Sequence, residues 1–235
     1  MQDEAKIAMA SSKTAEVYSA LREEVLNGVH RPGTKLMIDS LTGRFIVSAG
    51  AVREALARLT SDRLVVALPQ RGFVVAMVSR KDLLDLTDVR IDIEMKCLRS
   101  AIANGSVEWE AQLIASWHRL SRIGATPEGR THPDWTGLHS QFHDDLVAAC
   151  DNAWWLRLRS ELYIQAERYR RMALPRAQAL RDIATEHRMI FDYTLERDAE
   201  RAAAALSDHL RKTAQNLLES GLFDNETEEQ ARGAA

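Results

Sequence analysis

Strand-type patterning occurs in only one place in this chain of 235 residues. Residues 64–68 and 73–78 are β-rich runs separated by Pro69-Gln70-Arg71-Gly72, which predicts a hairpin closed by a four-residue loop. All other periodicity is helical. Upstream, Val17, Leu21, Val25 and Leu26 recur at helical spacing over 14–27, with Gly28 as the stop. After the Pro32-Gly33 turn, Met37, Ile38, Leu41 and Phe45 suggest a short second helix. Ser48 then stands as an N-cap before Val52, Ala55, Leu56 and Leu59, which face one way while Arg53, Glu54 and Arg58 face others. Three helices and a hairpin form the arrangement that lays one amphipathic helix in the major groove and the hairpin along the backbone or minor groove.

Beyond Ser79 the pattern predicts helices over about 81–103, 108–122, 134–149, 153–173, 176–196 and 198–219, with a loop at 124–133 and a break at Pro175. The expected architecture is mainly α: a flexible start (1–11), an N-terminal winged helix-turn-helix (12–78), an all-α helical bundle (79–223) and a disordered tail (224–235).

Apolar residues make up 46% and charged residues 28%, with 11 Gly and 5 Pro, which excludes collagen-like and low-complexity chains. No stretch approaches the roughly 20 apolar residues of a membrane span, and the start carries acids where a signal peptide needs basic residues, so no membrane partner and a cytoplasmic location are expected. Cys97 and Cys150 sit inside apolar stretches and are read as small core groups. The net charge of −3 conceals opposed halves: residues 1–78 hold 10 Lys and Arg against 8 Asp and Glu, the remainder 21 against 26. Charge therefore permits a nucleic-acid partner.

Candidate DNA contacts follow from outward placement. Arg53 lies near the start of the third helix, where a guanidinium reaches a guanine edge or a phosphate. Arg44 precedes that helix, Arg71 and Gly72 form the hairpin tip, and Lys35 and Arg63 are phosphate candidates.

In the helical part, polar residues fall where packing demands apolar ones. Arg90 interrupts the stripe Leu83, Leu86, Ile93, Cys97, Ala101; either Glu94, one turn on, or an anionic ligand would satisfy it. His139 and His143 flank Phe142 on one face, His187 lies in the stripe Ile183, Ile190, Thr194, and His209 in the stripe Ala202, Leu206, Thr213. Four of seven histidines thus point at a core. Converging neutral imidazoles suit a divalent transition metal such as Zn, Ni, Cu or Fe, with Glu186 or Asp208 as outer partner.

The runs L-x-x-x-V-L-N-G (21–28), R-P-G-T-K-L (31–36), I-V-S-A-G-A-V-R-E-A-L-A-R-L (46–59) and L-P-Q-R-G-F-V-V-A (68–76) resemble the winged helix of GntR-family transcription regulators. The resemblance implies that Ser48, Arg53, Arg71 and Gly72 belong to the DNA-binding surface. Where the family usually has Arg after that serine and Pro before the valine, this chain has Ala49 and Ala51, and Asp39 stands where some members carry a DNA-contacting Arg. Arg53 is left the larger share. Residues 80–220 resemble the FadR-type effector domain, the FCD domain, through F-H-x-x-L (142–146), E-H-x-x-I (186–190) and D-H-L (208–210). In that family an Asp and three His commonly bind a metal that helps hold a small carboxylate effector. The histidines map onto His143, His187 and His209, and the aspartate position is His139, so the metal candidates are His139, His143, His187 and His209 and the effector candidates Arg90, His143, His187 and His209.

The sequence therefore reads as a homodimeric, ligand-responsive regulator, most often a repressor in the resembling family, acting on a double-stranded palindromic operator. Two alternatives stand beside it. One is a DNA-binding dimer that senses nothing. The other is a metal-dependent phosphohydrolase built on the His143-Asp144 dipeptide, against which Asp144 should point away from the histidine face.

Overall fold

The computed structural model describes residues 2–124, 129, 132–173 and 182–223, with side chains from Lys13 onward. The element order is α1 (Gln2–Leu26), β1 (Lys35–Leu36), α2 (Ile38–Phe45), α3 (Ala49–Ser61), β2 (Val65–Leu68), β3 (Gly72–Val75), α4 (Arg80–Asn104), α5 (Val107–Gly124), α6 (Trp135–Val147), α7 (Ala153–Ala173), α8 (Ile183–Leu195) and α9 (Ala199–Glu219). The chain is mainly helical with one small sheet, as its patterning implies. Among the described residues no helix is long and apolar enough to cross a membrane.

The chain divides into two compact units, the first being Met1–Leu83 with Tyr163–Ala177 and Leu217–Ala235. Its core is the stripe Val17, Leu21, Val25 of α1 closed against Leu41 of α2, Val52, Ala55, Leu56 and Leu59 of α3, and Val65 and Val75 of the sheet. Gly28 ends α1 at φ +70, with Val29 N–H donating to the Glu24 carbonyl at 2.9 Å, a left-handed stop that a β-carbon would strain. Ser48 caps α3, its Oγ accepting from Ala51 N at 3.2 Å.

The sheet is antiparallel in the order β1-β3-β2. Leu68 pairs with Gly72, so the hairpin loop holds Pro69, Gln70 and Arg71, one residue fewer than the sequence spacing suggests. Positive φ at Gln70 (58) and Gly72 (88) makes the shorter turn feasible. β3 stops at Val75 rather than running to 78, and β1 pairs with it through Lys35↔Val74 and Leu36↔Phe73, a strand that sequence patterning did not anticipate.

This unit extends beyond the expected 12–78. Ile164 of α7 packs against its core, Gln165 Nε2 donates to the Asp62 carbonyl at the end of α3 at 2.6 Å, and Arg168 donates to the Ala76 carbonyl. The second unit is Leu84–Leu162 with Gln178–Asn216. It is all helical among the described residues, around Leu98, Ala101, Leu113, Phe142, Leu146, Ile190 and Leu206. Asn152 Oδ1 opens α7 by accepting from Trp154 and Trp155 N–H, both at 3.1 Å. α8 runs from Ile183, capped by Asp182, and residues 176–181 of the helix expected over 176–196 lie outside the described residues. The break at Pro175, most of the 124–133 loop and the 224–235 tail lie outside the described residues. α1 already begins at Gln2, within the stretch expected to be flexible.

Candidate functional site

Three helices of the second unit bring the four inward histidines together. His139 and His143 are one turn apart on α6, His187 is on α8 and His209 on α9, with exposures of 7%, 2%, 2% and 4%. One ligand atom from each lies within 4.8 Å of all the others. The Nε2 atoms of His143 and His187 are 3.2 Å apart. Two nitrogens each bound about 2.1 Å from a shared ion lie about 3.0 Å apart at right angles and about 3.4 Å apart at the tetrahedral angle, so the measured spacing suits a common metal.

The protonation state of His143 suits it too. Burial first, then the neighbouring His187 and His209 and the Arg90 and Arg159 charges, hold His143 well below the usual imidazole range, leaving a lone pair available near neutrality. His209 Nδ1 donates to Glu186 Oε2 at 2.9 Å, which turns its Nε2 into the acceptor and fulfils the outer-carboxylate role. Asp208, the other candidate for that role, instead pairs with Lys212 at 2.7 Å on the surface. Trp135 stacks on His139 with centroids 4.4 Å apart, and Phe142 packs edge-on to both His143 and His187 at 5.5 Å. The residues present fit a divalent metal.

Beside the histidines sits a charged network in which Arg90 takes Glu94, one of the two partners its position offers. Glu94 of α4 is 1% exposed and Arg90, its side chain 12% exposed, donates to Glu94 Oε1 from Nε at 3.2 Å and Nη2 at 3.1 Å. Arg159 of α7, 5% exposed, donates to Glu94 Oε2 at 2.8 Å, to Asp144 Oδ1 at 2.7 Å and to the His143 carbonyl at 2.8 Å. Burial opposes ionisation of Glu94, but the two guanidiniums outweigh it and keep the carboxyl below its usual range. Arg159 thereby links Glu94 of α4 to the backbone of His143 on α6. Arg159 was missed by sequence reasoning, although Asn152, Leu156, Arg159 and Tyr163 follow helical spacing. Cys97 and Cys150 are buried free thiols; burial and the neighbouring Cys150 push Cys97 up to about 12.

In the first unit, Arg53 is exposed on α3 and makes no ion pair among the described residues. Arg71 and Gly72 sit at the hairpin tip, and Lys35 on β1 passes close beside Gly72. Arg44 is not a free cation: it pairs with Glu24 through both Nη atoms, 2.9 Å for one of them, and stacks on Phe45. Arg58 lies over the Tyr18 ring at 4.2 Å, which gives it a packing role.

Residues 13–75 match the gntR family of bacterial regulatory proteins, and residues 85–212 match the FCD domain. The chain belongs to the GntR family. It is 37% identical over 224 residues to the HTH-type transcriptional regulator BphR of Paraburkholderia xenovorans, covering 92% of this chain and 90% of that protein. The HTH-type transcriptional repressor GlaR of Escherichia coli is 35% identical over 198 residues, covering 82% and 90%. Two solved structures share the fold: E. coli McbR/YncC (TM-score 0.71, 18% identity, 88% and 97% covered) and a putative transcriptional regulator GntR from Rhodococcus sp. RHA1 (TM-score 0.67, 24% identity, 88% and 98% covered). This GntR chain is a DNA-binding transcription regulator, not an enzyme. The phosphohydrolase alternative fails on the site as well, because Asp144 turns from the histidines to Arg159 with its side chain 53% exposed.

Proposed function

We propose that this regulator acts as a homodimeric repressor whose winged helix binds a palindromic double-stranded operator and whose FCD domain senses a small carboxylate beside a divalent transition metal such as zinc or nickel. The observation that carries the reading is the gathering of four buried imidazoles from three helices within 4.8 Å. Mutually facing buried imidazoles are a poor way to build a core and a good way to build a ligand set. His139, His143, His187 and His209 hold the metal, and Arg90, His143, His187 and His209 face the effector. Bound only by neutral nitrogens, the ion keeps its full charge and attracts an organic anion. Glu186 fixes the His209 ring, and Arg159 fixes the α6 backbone at His143.

On the DNA side Arg53 carries base contact, with Arg71, Gly72 and Lys35 along the backbone and Ser48 setting the start of α3. Arg44 joins them only by leaving Glu24. Repression is favoured by the name of the GlaR relative. The acid controls DNA binding only to the extent that it prefers one of two dimer states, which typically changes affinity by about 5–150-fold.

The test is operator affinity, by fluorescence anisotropy on an operator selected from random DNA, across a panel of carboxylates. An acid that shifts affinity in metal-loaded protein, with the shift lost on chelation and in His187→Ala, is expected. Unchanged affinity across the panel refutes the sensing half.

A further inference from the structure

The four imidazoles are unevenly spaced. The ring centroids of His139 and His209 lie 6.5 Å apart. The other five pairs are closer: His139–His143 4.6 Å, His139–His187 5.0 Å, His143–His187 5.2 Å, His143–His209 5.4 Å and His187–His209 4.6 Å. A ring centroid lies about 1.15 Å behind its nitrogen, hence about 3.25 Å from an ion held at about 2.1 Å. Two such rings are about 4.6 Å apart at right angles, about 5.3 Å apart at the tetrahedral angle and about 6.5 Å apart when opposite each other. Four ligands at the corners of a tetrahedron give equal separations throughout, and a square plane gives two long ones. A six-coordinate shell that lacks two adjacent ligands gives one long separation and five short. The measured set has a single long separation, at the value for opposite rings.

Both ends of that long axis are held by neighbours. Trp135, 4% exposed, stacks on His139 at 4.4 Å with the planes 21° apart, and Glu186 Oε2 accepts from His209 Nδ1 at 2.9 Å. Drawing the two rings in to the tetrahedral spacing means a movement of about 1.2 Å, at the expense of the stack or of the hydrogen bond. Outer contacts of this kind fix the orientation of ligand rings in metal sites. The remaining two rings, His143 and His187, each meet Phe142 edge-on at 5.5 Å.

We infer that the four histidines form a six-coordinate site with two neighbouring positions left open, suited to a borderline divalent ion that accepts six ligands, such as nickel or cobalt, rather than to closed tetrahedral zinc. The inference rests on the proposal that these residues hold a metal. Neutral nitrogen donors disfavour magnesium, calcium and manganese, the hard ions that otherwise take six ligands. A square-planar copper site would need a second opposite pair, which the spacing does not supply. The two open positions lie side by side, where water or the oxygens of an acid can enter.

The experiment is visible absorption spectroscopy of full-length protein stripped of metal and reloaded with one equivalent of cobalt(II). Its ligand-field bands are weak in a six-coordinate environment and many-fold stronger in a four-coordinate one. Weak bands that shift when acetate is added are expected. His139→Ala removes one end of the long axis and should bind cobalt at least about tenfold more weakly, since even the outer partners of metal ligands are worth that much. Far-ultraviolet circular dichroism checks that the variant is folded. Strong four-coordinate bands, bands that acetate leaves unmoved, or unchanged cobalt affinity in folded His139→Ala overturns the open six-coordinate site and leaves metal binding itself intact. Wild-type protein that retains none of cobalt, nickel and zinc overturns metal binding, and the inference with it.

Discussion

Replacing Glu94 by leucine removes the carboxylate on which two buried guanidiniums converge. Arg159 is 5% exposed and loses its 2.8 Å partner, retaining Asp144 and the His143 carbonyl; Arg90 loses both of its contacts to Glu94 Oε1. Removing one member of a buried ion network costs about 3–5 kcal/mol, because the remaining charge stays desolvated. Asp144 still offsets part of the Arg159 charge, so the lower end of that range applies. At roughly 2–4 °C per kcal/mol for a chain of this size, the melting temperature should fall by about 6–12 °C. Differential scanning calorimetry of metal-free protein measures this, and the double variant Glu94→Leu/Arg159→Met supplies the control. With the second charge removed and Arg90 able to extend toward water, the double variant should recover most of the loss, a coupling that independent sites would not show. A single variant within about 1 kcal/mol of wild type, or a double variant with simply additive losses, refutes the view of Glu94 as the centre of a charge network.

Three other outcomes follow from the same geometry. Arg53→Ala should weaken operator binding by about 1–3 kcal/mol and relax base preference, and a salt-matched gel shift with unchanged affinity and selectivity contradicts the assignment. His143 has its pKa lowered in the fold, so below about 6.5 the unfolded chain takes up a proton that the folded chain refuses. Stability of the metal-free protein is therefore complete above that pH and declines beneath it by up to about 1.4 kcal/mol per unit; urea midpoints that stay flat from pH 7.5 to 5.5 oppose this. A β-carbon at Gly105 would lie 2.0 Å from the Trp109 ring, and Trp109 is fixed by Nε1 donating to the Asp145 carbonyl at 2.7 Å. Gly105→Ala should thus destabilise by about 1–3 kcal/mol in chemical denaturation, and a neutral result shows that the ring can move aside.

How far the site can be read from sequence depends on how local its signals are. The histidine face of α6 is legible because Leu138, Phe142 and Leu146 mark the buried edge and the rings fall beside it. On α4 the stripe through Leu83, Cys97 and Ala101 is buried and Arg90 pairs with Glu94 one turn on, the first of the two partners the spacing offers. Local spacing does not reach Arg159, the second cation on Glu94, which lies 65 residues away. The strand β1 has two residues and no period to detect. The second half of α7 joins the winged-helix unit through Ile164, Gln165 and Arg168, whose partners lie about a hundred residues away and leave no trace in local spacing. Asp62 and Ala76 offer backbone carbonyls there, which any residue type could supply.

Metal content of the purified regulator, by inductively coupled plasma mass spectrometry, tests the histidine cluster most directly. Near one equivalent of zinc, nickel or a similar ion per chain, lost in His187→Ala with the fold retained, is the expected result. Wild-type protein that takes up no transition metal on dialysis against zinc contradicts it.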